Sequence, residues 1–115
     1  MTDTLIVIQA ATGELGKSDL SAVGFGLQLV SAAGGQLDIL LLGPGAEAQA
    51  GSAANLGARR VFTLGGSELE VYTAEAYAAA PASFLEGRSY RCVGAATNSA
   101  SREYFPRLAA VLDAP

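Results

Sequence analysis

The stretch LIVIQAATGELGKSDL, Leu5 to Leu20, is where the fold of this chain is decided. Its opening, LIVIQ, is a nearly continuous β-branched apolar run, the pattern of a strand covered on both faces. The segment Thr12-Gly13-Glu14 then reads as a turn, and Ser18 or Asp19 as the cap of a helix. That helix runs to Ala33, with Leu20, Val23, Leu27 and Val30 on one face and Gly34-Gly35 as its stop. A buried strand followed at once by an amphipathic helix is the unit from which parallel sheets are built.

The unit repeats along the chain. LDILLL, Leu37 to Leu42, is a second buried strand, and an alanine-rich helix from about Ala46 to Leu56 ends at Gly57. RVFTL, Arg60 to Leu64, is a third strand. TAEAYAAAPASFL, Thr73 to Leu85, has high helix propensity, with Pro81 expected to kink or interrupt it. Tyr90 to Ala96 is a fourth strand and Ser101 to Leu112 a fourth helix, with Pro106 near its first turn. The order predicts an α/β domain of three layers, a parallel sheet of about four strands with helices on both faces. This is the Rossmann-like arrangement also found in adenine-nucleotide hydrolases.

Composition narrows the function. The 115 residues are half apolar and 16% charged, enough for one packed domain burying roughly 65% of its unfolded surface. A net charge of -4 with seven scattered basic residues makes a poor partner for nucleic acid. No histidine is present, which excludes Ser-His and Cys-His catalytic pairs and any His-ligated metal. The lone Cys92 lies in the fourth strand pattern, where it reads as a small hydrophobe. The N-terminus MTDTLIVIQ has no basic leader, and its apolar run is too short to span a bilayer, so a cytoplasmic protein is expected.

Three segments imitate phosphate sites. Ala11 to Ser18, A-TGEL-GKS, approximates a nucleotide-binding phosphate loop in which Lys17 would reach the phosphates and Ser18 would hold magnesium. Its first position is Ala rather than Gly. The carboxylate that should complete the magnesium site at another strand end is missing. Gly43-Pro44-Gly45-Ala46-Glu47-Ala48 fits G-x-G-x-x-A, but it follows the second strand and no acidic residue ends the third. A tight turn accounts for it better. Gly94 to Arg102, GAATNSASR, is either an anion-holding strand end or a set of helix caps, and its residues suit both.

Taken together, these segments resemble the N-terminal domain of the electron transfer flavoprotein alpha subunit. The matching features are the Gly13-Glu14-Leu15-Gly16-Lys17-Ser18 turn, LLLGPGAEAQAGSAANLGA, the Gly57-Ala58-Arg59-Arg60-Val61 step and the Glu75 to Ala80 run. The closest match is the end, GAATNSASREYFPRLAAVLDAP, which looks like the family's strand, Thr-Ser loop and Leu-Pro-Arg-Val-Ala-Ala-x-Leu-Asp-Ala helix. Departures are Gln9 in place of an acidic residue, Gly24 and Gly26 within the first helix, and Asn98-Ser99-Ala100-Ser101 in place of a Gly-basic-Asp loop.

The resemblance implies an electron carrier rather than an enzyme. Residues 1–115 would be one α/β domain at the N-terminus of a longer chain, whose C-terminal domain holds FAD. A beta subunit, which carries AMP, would be the partner. Together they would pass electrons from flavin dehydrogenases, such as the acyl-CoA dehydrogenases of fatty acid β-oxidation, to a quinone oxidoreductase or another acceptor. The segment itself would be a scaffold without catalytic, cofactor or metal residues, binding neither nucleic acid nor the membrane interior. Arg102, Tyr104 and Arg107 are of the aromatic-and-arginine type that anchors interfaces, and are the candidate contacts with the beta subunit. A cover for a helix end explains them equally well. The competing expectation is a stand-alone adenine-nucleotide-binding domain of universal-stress-protein type, using the Gly43-Pro44-Gly45 turn and the Thr97 to Ser99 loop.

Overall fold

The computed structural model describes residues 3–10, 16–65, 74–86, 90 and 92–95. Four strands, β1 (Thr4–Gln9), β2 (Leu37–Leu42), β3 (Arg60–Leu64) and β4 (Cys92–Ala95), form one all-parallel sheet in the order β3-β2-β1-β4. Among the described residues three helices alternate with them: α1 (Lys17–Ala33), α2 (Ala46–Ala54) and α3 (Ala74–Leu85). The chain steps outward from β1 to β2 to β3, then jumps back across the sheet to place β4 on the far side of β1. Crossovers of constant hand put helices on opposite faces when the direction reverses. The packing follows that rule: α1 and α2 cover one face and α3 the other.

Strand parity divides the core. Ile6, Ile8, Leu37, Ile39 and Leu41 pack with Val23 of α1 and Ala46 and Ala53 of α2. Leu5, Val7, Leu40 and Leu42 point the other way and pack with Tyr77 of α3. Because both faces are covered, β1 and β2 need apolar residues at consecutive positions, and LIVI and ILLL supply them. At the β3 edge Phe62 meets Phe84 of α3 edge-on, with ring centroids 4.9 Å apart.

Two expectations for the helices are corrected. Leu20 is 46% exposed, and the inward stripe of α1 is Asp19, Val23 and Gly26, with Leu27 and Val30 half-buried behind it. The shift follows from Gly26. A β-carbon there would stand 2.9 Å from Leu37 Cδ1 and 3.0 Å from Ile6 Cγ1, so the missing side chain lets the helix lie close on the sheet along that line. Secondly, of the kink or interruption expected at Pro81, the interruption does not occur: α3 is continuous from Ala74 to Leu85. Proline there deletes a bond to the Tyr77 carbonyl, but Tyr77, Ala78, Pro81 and Ala82 are all buried, and that packing holds the helix together. The expected fourth helix, Ser101 to Leu112, lies outside the described residues.

Candidate functional site

In open parallel sheets ligands sit at the carboxyl ends of the strands, where the connections diverge. Here the divergence is between β1 and β4. Three of the segments that follow these strand ends carry the motifs singled out in the sequence: the start of α1, the Gly43 turn after β2, and the stretch after β4.

At the first, Gly16 precedes α1, and the side chain of Asp19 turns back to accept the Gly16 N–H at 2.8 Å. Asp19 is buried, and its carboxylate therefore takes a backbone donor at the very helix terminus that would face a phosphate. The cap expected at Ser18 or Asp19 is thus corrected: Gly16 holds the cap position and Asp19, three residues in, completes it from inside. Lys17 is exposed. A resident negative charge and a committed N–H are poor preparation for a polyphosphate.

At the second, Gly43 adopts φ +116°, open to glycine but strained for any L side chain. Its N–H donates to the Leu64 carbonyl at 3.0 Å, the Gly45 N–H to the Ala10 carbonyl at 2.7 Å, and the Ala46 N–H to the Gly43 carbonyl at 3.2 Å. Pro44 has no N–H. The turn's own donors are spent on stitching β1, β2 and β3 together, and Glu47 adds an acidic group to the first turn of α2. The space beside Gly43 is closed as well, because a β-carbon there would lie 2.6 Å from the Tyr77 hydroxyl. G-x-G-x-x-A is accordingly a tight turn, with the N–H groups of Gly43 and Gly45 directed to the Leu64 and Ala10 carbonyls.

The third segment, with Thr97, Asn98, Ser99 and the interface candidates Arg102, Tyr104 and Arg107, lies outside the described residues.

Among the described residues, a cluster of charged side chains stands at the opposite, amino end of the sheet. Asp38, the second residue of β2, is fully buried on the α3 face. Its Oδ1 accepts from Arg59 Nε at 3.1 Å. Its Oδ2 accepts from Arg59 Nη2 at 2.8 Å, Arg60 Nη2 at 3.3 Å and the Tyr90 hydroxyl at 2.6 Å. Arg59 also reaches Asp3 Oδ2 at 3.2 Å, and Asp3 Oδ1 accepts the Gln36 N–H at 3.0 Å. Two carboxylates thus face two guanidinium groups. Burial pushes the Asp38 carboxyl up, but the hydrogen bonds from Arg59 and Tyr90 and the charges of Arg59 and Arg60 outweigh it, holding it below its usual value. The hydrogen bond to Asp38 in turn raises Arg59 above its ordinary value. Arg60 lies over the Phe62 ring, 5.2 Å from its centroid.

Sequence reasoning did not assemble this cluster. The available signals were an aspartate inside an otherwise apolar strand and the Arg59-Arg60 pair opening the next one. In register Asp38 faces Arg60, which juxtaposes them across neighbouring strands. The Asp38 carboxylate accepts from Arg59, Arg60 and Tyr90 at once, which makes the cluster a brace between β2, the start of β3 and the residue two before β4. Among the described residues no group of three or more His, Cys, Asp or Glu side chains could hold a metal ion. Nor is any described helix long and apolar enough to cross a membrane.

The sheet order and two-sided helix cover define a three-layer, Rossmann-like α/β domain. The family model of the electron transfer flavoprotein domain matches residues 4–115, and the chain belongs to that family of electron carriers. No curated protein matches it significantly.

Proposed function

We propose that this chain is the N-terminal scaffold domain of an electron transfer flavoprotein alpha subunit, which binds no nucleotide itself and supports a flavin carried by another domain. The observation that favours a scaffold is the state of the described carboxyl-end donors: the Gly16 N–H is taken by Asp19, those of Gly43 and Gly45 by the Leu64 and Ala10 carbonyls, and that of Ala46 by Gly43 within the turn. The family match supports the electron-transfer role. The likeness of Gly94 to Pro115 to the alpha-subunit helix supports the choice of subunit.

On this reading FAD belongs to a C-terminal domain of the intact protein and AMP to the beta subunit. The isoalloxazine ring supplies the redox chemistry, and this domain contributes a rigid base. The beta subunit docks on the segment after β4 through Arg102, Tyr104 and Arg107. Flavin dehydrogenases donate the electrons, and a quinone oxidoreductase or another acceptor receives them, in the cytoplasm.

The test is purification of the chain alone and together with the beta subunit, with calorimetric titration of FAD, AMP and ATP. A colourless chain that binds none of the three but captures the beta subunit supports the proposal. Capture should weaken by about tenfold or more for Arg102→Ala or Arg107→Ala, the scale of an interface anchor. Tight ATP or AMP binding to the isolated chain would replace the scaffold with the stand-alone nucleotide-binding reading.

A further inference from the structure

The three strand pairings of this sheet are unequal. β1 and β2 pair over six residues, Thr4 to Gln9 against Leu37 to Leu42, almost all of them fully buried. β2 and β3 pair over five, and the Arg60 and Arg59 hydrogen bonds to Asp38 reinforce them. Among the described residues β4 pairs with β1 over four, Cys92 to Ala95, all half-buried. Gly94 brings no side chain, and a β-carbon there would press on Ile6 Cδ1 at 3.1 Å. Ala95 is small, so Val93 is the one sizeable aliphatic group among the described residues of β4. The described residues of β4 therefore bring little large aliphatic surface to the sheet.

Just before β4 stands Tyr90. Its ring packs in the α3-side core, and its hydroxyl donates to Asp38 Oδ2 at 2.6 Å. Asp38 belongs to β2, two strands away from β4, so this bond reaches past β1. The acceptor is a fully buried carboxylate held in place by Arg59 and Arg60, with Asp3 on the far side of Arg59. A hydrogen bond to a fixed, buried anion is among the stronger single contacts a tyrosine can make.

We propose that the Tyr90–Asp38 hydrogen bond is a latch that keeps β4 on the sheet, so that its release opens β4 as a unit while β1, β2 and β3 stay paired. The rest of the brace does not depend on it, because Asp38 keeps both arginines when the hydroxyl is gone. Strand β4 leads into the segment of Arg102, Tyr104 and Arg107, so the latch governs how that segment is presented to a partner. That last step rests on the proposed function, whereas the measurement below does not.

The test uses Tyr90→Phe in the full chain, which removes one oxygen and keeps the ring. Cys92, the first residue of β4, is the sole cysteine of the sequence and reports opening through its rate of thiol labelling. Labelling and amide exchange of the β4 amides paired with β1 should both quicken by about tenfold or more, the scale of one hydrogen bond to a charged group. Exchange at Ile6 to Ile8 and Ile39 to Leu41 should be unchanged. Val23→Ala, which weakens the opposite core, serves as the control and should quicken exchange in all strands together. Unchanged β4 exchange in Tyr90→Phe, loss of protection across the whole sheet, or an equally selective effect of Val23→Ala would each overturn the latch.

Discussion

Arg59 grips Asp38 side-on, with Nε 3.1 Å from Oδ1 and Nη2 2.8 Å from Oδ2. The two parallel bonds fix the angle as well as the distance, and they tie the entrance of β3 to β2 before the strand ladder begins. The Arg59 N–H adds a backbone bond to the Leu37 carbonyl at 2.7 Å. This fork gives the fold a defined response to acid. The folded-state pKa of Asp38 is depressed, so its ionisation contributes stability that is fully present above the unfolded value, about 4. That contribution is lost as pH falls through the lower, folded value. Urea midpoints measured from pH 7 down to pH 2 should decline below about pH 4. Arg59→Ala should lower the midpoint at neutral pH and flatten the acid decline, because Asp38 then has one fewer reason to stay charged.

Gly24 and Gly26 lie in one helix and should respond to alanine with opposite signs. Nothing stands within 4 Å of a β-carbon at Gly24, which is exposed. Gly24→Ala should therefore gain about 1 kcal/mol from helix propensity alone. Gly26→Ala gains the same propensity but drives a methyl against Leu37 and Ile6, both fully buried. Overpacking of about 1–3 kcal/mol outweighs the gain, for a net loss of about 1 kcal/mol. Denaturant titration of the two variants side by side checks both signs.

Gly43 and Tyr77 should be energetically coupled. Gly43→Ala imposes a side chain at φ +116° and a contact of 2.6 Å with the Tyr77 hydroxyl, an expected cost of about 3 kcal/mol. Tyr77→Phe removes the clashing oxygen but leaves the backbone strain. The double variant should be more stable than the sum of the singles predicts, by about 1 kcal/mol in a double-mutant cycle.

Pro81 offers a stabilising change. An interior helix proline costs about 3 kcal/mol relative to alanine, whereas the two ring carbons lost from a buried site are worth about 1.6 kcal/mol. Pro81→Ala should thus raise stability by about 1 kcal/mol, seen as a higher denaturation midpoint with unchanged slope.

The elements legible in the sequence were those whose information is local. Leu37–Leu42 and Arg60–Leu64 are bounded runs of apolar and β-branched residues, and the strands have those limits. The tight-turn reading of Gly43 to Ala46 was also local, since glycine and proline carry it. The inward stripe of α1 was misread by one position because it is set by how closely Gly26 approaches Ile6 and Leu37, a fact of packing. Continuity through Pro81 was missed for a similar reason: burial of Tyr77 and Ala82 overrides the local penalty. The Asp38 brace was out of reach because its partners lie 21, 22 and 52 residues away and meet only once the crossovers are made.

The strand order also has a meaning in time. β1, β2 and β3 pair in the order in which they are synthesised, but the second neighbour of β1 is β4, near the far end of the described chain. While the polypeptide is being made, one edge of β1 lacks its β4 partner until residue 95 has left the ribosome. Closing that loop is the entropically expensive, non-local event of folding. The exposed edge of LIVI is, until then, the surface through which a nascent chain can join the wrong neighbour.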